Sequence, residues 1–222
     1  MFPAISELGQ FVGADRPEAA CHLVLPHYAG PASLDTGGGS LGGLTYRGAT
    51  FAERDSRAAF YVQSLVSPVF DPERISIEAA VAGETVQPTT FLFGSRSNVL
   101  LDELKPYYQN LFRFEFGDDW KIHIGAQTFS MPDPSKIDPS VYQLTTDYGI
   151  IAKIPLPAGA VFLIAGLGGR ATEGSAYFFR KNWRQVLKTF RTGPPVAVLR
   201  FDPPFAIEKS TMVSPALAAW AF

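Results

Sequence analysis

Two short runs, "TTFLFG" (89–94) and "AVFLIAG" (160–166), are apolar at nearly every position and end on a glycine. A strand with one wet face alternates apolar and polar residues. An unbroken apolar run of this length belongs to a strand covered on both faces, which is the usual condition in parallel sheets. Behind each run comes a polar turn, "SRSN" or "LGGRATEG", and then a segment with helical spacing. Strand, turn and helix in succession point to an α/β chain.

The remaining segments fit that frame. "CHLVLPHY" (21–28) reads as a strand closed by Pro26, and "ISIEAAV" (75–81) and "VAVLRF" (196–201) read as two more. The glycine-rich stretch from Gly30 to Gly48 has little to bury and reads as a mobile loop. Thr50 and Glu53 stand at capping-box spacing and predict a helix start, with Phe51, Ala59, Val62 and Val66 inward. Ser95 or Ser97 is placed to cap the helix after 89–94, and Pro106 to stop it. In the last helix Ala176, Phe179, Trp183, Val186, Leu187 and Phe190 recur at spacings of three and four, opposite a basic face that reads as solvated.

The middle of the chain has a different period. Phe112, Phe114 and Phe116 alternate with polar residues, "GDD" turns, and Trp120, Ile122 and Ile124 alternate again, which is a hairpin signature. "DYGIIAKIP" (147–155) reads as a further strand that joins it. The expected fold is one α/β domain over 1–222: a Rossmann-like, mainly parallel sheet of about five strands with an antiparallel β-meander inserted at about 111–155.

Composition bounds function. With 46% hydrophobic and 18% charged residues and a net charge of −2, the chain carries no field to gather nucleic acid or anionic lipid. No apolar run reaches the ~20 residues of a membrane span, so neither partner is expected. Cys21 is the only cysteine, which excludes an internal disulfide, and the three histidines are scattered, so no metal site is expected. A single thiol and the lack of a basic, apolar leader in "MFPAISELGQ" fit a cytoplasmic protein.

In a parallel α/β sheet, ligands bind beyond the carboxyl ends of the strands, where connections diverge. The two glycine turns fall on that edge, so the candidate ligand-binding residues are Gly94, Ser95, Ser97, Asn98, Gly166, Gly168, Gly169, Arg170 and Thr172, with His27 after the first strand. Glycine permits close backbone approach, and a helix start offers unpaired amides to an anion. The competing reading is structural: Ser, Asn and Gly also cap ordinary turns, and neither turn is a P-loop or a full dinucleotide fingerprint. His27 is an acid–base candidate or a packed histidine. Glu53 and Asp55 open the first helix beside the same edge, where acids ordinarily serve the cap and dipole, with catalysis as the alternative. No catalytic residue and no cofactor is named by these patterns.

Taken in order, "ERDSRAAFYVQSL", "FLFGSRSN", "DYGIIAKIPLP" and "VFLIAGLGG" resemble a bacterial family of Rossmann-like domains that pair a Gly-Ser-x-x-Asn turn with an Asp-Tyr-Gly strand and a strand ending in Ala-Gly. The likeness spans roughly residues 21–201 and departs from the pattern at Arg96, where proline is expected. It implies the fold and a ligand edge of Gly94, Ser95, Ser97, Asn98, Gly166, Gly168 and Gly169, and no reaction. Two expectations follow: a module binding a nucleotide or other phosphorylated small molecule in a sensor or effector role, or a non-catalytic domain for protein interaction or self-association through the apolar tail "MVSPALAAWAF".

Overall fold

The apolar runs are the central strands of one sheet, and they are covered on both faces as their composition requires. The computed structural model describes residues 3–14, 18–26, 52–84, 86–87, 89–96, 98–157 and 159–213. The elements, in chain order, are α1 (Pro3–Val12), β1 (Cys21–Leu25), α2 (Glu53–Val66), β2 (Ile75–Ala79), β3 (Thr90–Phe93), α3 (Leu100–Tyr108), β4 (Arg113–Phe116), β5 (Asp119–Ile124) and β6 (Gln127–Pro132). They continue with α4 (Pro139–Gln143), β7 (Asp147–Leu156), β8 (Gly159–Gly166), α5 (Gly169–Thr192), β9 (Val196–Phe201) and β10 (Ser210–Val213). The Gly30 to Gly48 loop, Thr50, Phe51 and the tail from 214 lie outside the described residues.

Seven strands form the main sheet in the order β10-β9-β7-β8-β3-β1-β2. β2, β1, β3 and β8 are parallel neighbours. β7 is antiparallel to both β8 and β9, and β10 is antiparallel to β9. The sheet is therefore mixed and larger than the mainly parallel five strands expected. β7 does not join the hairpin: it enters the main sheet, and the meander is a separate sheet, β4-β5-β6, whose third strand is Gln127–Pro132. A strand buried on both faces reads the same whether its neighbours are parallel or antiparallel, so composition alone did not set the direction of β7.

Side chains alternate between two cores. Leu23, Leu25, Phe91, Phe93, Phe162 and Ile164 face α1, α2 and α5, while Val24, Leu92, Val161, Leu163 and Ala165 face α3 and the small sheet. Phe91 and Phe162 stack at 4.9 Å between centroids, and Phe11 of α1 meets Phe162 edge-on at 5.4 Å. On α5 Ala176, Phe179, Trp183, Val186 and Leu187 are buried and Phe190 is partly buried, while Arg180, Lys181, Arg184, Lys188 and Arg191 lie on the outer face, as the spacing indicates.

Three helix boundaries differ from expectation: α3 has Val99 as its N-cap, with no side-chain cap bond, in place of Ser95 or Ser97. The N-cap of α2 is Ala52, which makes no side-chain cap bond, so the helix starts later than a Thr50 cap would place it. Pro106 lies inside α3 and does not end it. Phe162 is 1% exposed at the centre of the aromatic cluster. Phe162→Ala is expected to lower unfolding free energy by about 3–5 kcal/mol, the usual cost of a large aromatic truncation in a core, read as a drop in the urea midpoint.

Candidate functional site

Connections leave the parallel strands in opposite directions. The chain after β1 reaches α2 on one face of the sheet, whereas after β3 it reaches α3 on the other. Between them lies a crevice of about 630 Å³, lined by Ala52, Glu53, Arg54, Asp55, Gly94, Ser95, Arg96, Trp120, Gly166, Leu167, Gly168, Gly169 and Thr172. Divergence of this kind at the carboxyl edge is where open α/β sheets hold ligands.

Six of the sequence-derived residues, Gly94, Ser95, Gly166, Gly168, Gly169 and Thr172, meet in this crevice. Gly94 has φ +78°, a conformation that favours glycine and turns the chain at the end of β3. Ser95 Oγ donates to the Gly166 carbonyl at 2.7 Å and ties the two turns together. Thr172 Oγ1 accepts from the Gly166 amide at 2.9 Å. Asn98 is buried behind the turn, where its Nδ2 donates to the Phe93 carbonyl at 3.0 Å and its Oδ1 accepts from the Leu100 amide at 3.2 Å. His27 and Ser97 lie outside the described residues.

The start of α5 already holds an anion. Asp147, at the head of β7, accepts hydrogen bonds on Oδ1 from the amides of Tyr148 (2.8 Å) and Gly168 (3.1 Å), and on Oδ2 from that of Ala171 (3.2 Å). Burial pushes its carboxyl up to about 6, against the pull of the Gly168 amide, the Arg170 charge and the amides of Tyr148 and Ala171. Two glycines make the close approach feasible. A Cβ on Gly149 would collide with Ser175 Oγ, and one on Gly166 would come within 2.5 Å of the Thr172 amide nitrogen. Arg170 is 3% exposed and turned away from the crevice: its Nη2 donates to the carbonyls of Tyr142 (2.7 Å) and Thr145 (3.2 Å), and the guanidinium lies 3.8 Å from the Tyr142 ring centroid.

The start of α2 is different. Its N-cap, Ala52, makes no side-chain cap bond, and its first turn lines the crevice. Arg54 there pairs with the buried Glu173 of α5 at 2.7 Å. Asp55 is 6% exposed and makes no hydrogen bond or ion pair with any described residue. Burial pushes its carboxyl up to about 6. Across the crevice Arg96 is exposed and sits 5.3 Å from the Trp120 ring centroid, so the small sheet contributes an aromatic side chain to the wall. Residue type alone does not separate Asp55 from any first-turn acid, because burial is set by the packed fold and not by the residue.

A second cavity, about 450 Å³, opens at the opposite edge beside Lys153. There Lys153 Nζ donates to the Phe11 carbonyl at 2.9 Å, one residue from the end of α1, and lies within 5.3 Å of the Phe11 and Phe162 ring centroids. Its charge is committed to closing that helix. Among the described residues no group of three His, Cys, Asp or Glu side chains is placed to hold a metal ion, and no helix is long and apolar enough to cross a membrane. The chain matches no family model, and no curated protein and no solved structure shows significant similarity to it.

Asp55 gives the site a stability signature. Its folded pKa of about 6 lies above its ordinary value of 3.8, so the folded state binds the extra proton between these limits and stability falls as pH rises from about 4 to 6. In Asp55→Asn this part of the decline disappears. The variant is expected to exceed the parent by about 1–3 kcal/mol at pH 7, from the 1.36 kcal/mol per pKa unit of linkage, and to match it near pH 3.5. Urea unfolding across pH checks this; an unchanged slope would contradict it.

Proposed function

We propose that the protein is a small-ligand-binding α/β module, Rossmann-like in its use of the sheet edge, whose crevice takes a nucleotide or related phosphorylated molecule in a sensing or effector role. One observation carries this reading. The two glycine turns and the start of α2 converge on a single crevice at the point where the connections after β1 and β3 diverge.

The ligand's anion is assigned to the α2 side. Asp147 already occupies the start of α5, taking the Gly168 and Ala171 amides, which favours the first turn of α2, where partial positive charge and unpaired amides suit phosphate or carboxylate. Arg96 adds an exposed guanidinium at the rim, able to donate to phosphate oxygens in a forked pair. Trp120 offers a face against which a planar group packs.

Calorimetry against pyrophosphate and a panel of nucleoside mono- and diphosphates tests the reading. At least one phosphorylated compound is expected to bind, and Arg96→Ala is expected to weaken it by about tenfold, the loss of one charge-assisted contact. Arg184→Ala, on the exposed face of α5, is expected to leave affinity unchanged. Absence of binding by every compound at millimolar concentration, about −4 kcal/mol, would overturn the proposal.

A further inference from the structure

The buried carboxylate of Asp55 is out of place in a crevice that takes only an anion. It lines the same wall as the start of α2, it is 6% exposed, and it has no partner among the described residues. Its carboxylate oxygens keep contact with the open crevice, unlike the fully buried and unpartnered Arg170 Nη1 and Ser175 Oγ, and an ionised carboxylate only accepts. The other acids nearby are accounted for: Glu53 pairs with Arg57, and Glu173 with Arg54 and Arg57. Asp147 is filled by three amides. Asp55 alone of these keeps its accepting capacity unused, and what it faces is the crevice.

Building on the nucleotide-like ligand proposed above, we infer that Asp55 is a recognition residue for an N–H or O–H donor on that ligand. The ligand is then two-ended. Its phosphate lies toward Arg96 and the α2 amides, and a hydroxyl pair or the N–H edge of a base lies against Asp55. A site built this way discriminates strongly, because a bound analogue lacking the donor shields the carboxylate from solvent and leaves it unpaired. It also weakens the binding of a bare phosphate compound, which Asp55 repels. The class of ligand is thereby narrowed from any phosphorylated compound to sugar phosphates and nucleotides.

The experiment compares pyrophosphate, ribose 5-phosphate, 2-deoxyribose 5-phosphate, ADP and GDP on the full chain and on Asp55→Asn, which keeps the shape and removes the charge. The parent is expected to bind at least one donor-bearing probe about tenfold or more tighter than pyrophosphate, and Asp55→Asn to lose that margin while binding pyrophosphate as well as before or better. Preference for ribose 5-phosphate over its deoxy form assigns the donor to a hydroxyl; preference confined to ADP or GDP assigns it to the base. If pyrophosphate binds the parent and no donor-bearing probe binds better, the role of Asp55 falls while the anion site stands. That role falls equally if Asp55→Asn weakens pyrophosphate and nucleotides to the same extent, and Asp55→Ala, with thermal melting to verify folding, repeats the comparison without an amide. Failure of every probe on the parent overturns both readings.

Discussion

Asp147 places a carboxylate where the start of the longest helix meets the end of the sheet, and it satisfies three amides there at once. That interaction sets where α5 begins. Because the helix is held this close, β7 and β8 must carry glycine at the register pair Gly149 and Gly166. With α5 fixed, Glu173 is buried beside α2 and draws in Arg54 and Arg57. The geometry of the crevice follows from these contacts, since α2 and α5 are its two walls on that face of the sheet.

The internal cap also changes which helix start remains for a ligand. Two helices, α2 and α5, begin at the crevice, and both carry partial positive charge at their first turns. At α5 that charge meets a built-in carboxylate, whereas at α2 the N-cap is an alanine and the first turn lines the crevice. The asymmetry moves the expected anion from the second glycine turn, beside Arg170, to the first turn of α2, beside Arg96. Arg170 is instead used to hold the 142–145 segment against the sheet, through two carbonyls and the Tyr142 ring.

Much of the frame was legible because it rests on local periodicity. The runs at 21–25, 90–93, 160–166 and 196–201 are strands, the hairpin 113–124 pairs as its alternation indicates, and the α5 stripe is buried. What escaped was non-local or locally ambiguous. The direction of β7 depends on its neighbours, and β6 ends in Pro132 inside a stretch that reads as a proline-rich loop. α1 and β10 are short and become recognisable only through packing on the main sheet and pairing with β9. For the site, the sequence gathers the two glycine turns on one edge. It carries no sign that Asp147 reaches across 21 positions to the Gly168 amide, or that Asp55 is buried by its neighbours.

The central claim is that the crevice between α2 and the two glycine turns is where this protein meets a small molecule. The most direct measurement is an amide chemical-shift titration of isotope-labelled protein with GDP and with pyrophosphate. The largest shifts are expected on residues 53–55, 94–96 and 166–169, with the Trp120 indole moving for GDP and not for pyrophosphate. Shifts gathered instead around Phe11, Lys153 and Phe162 at the opposite edge would contradict it.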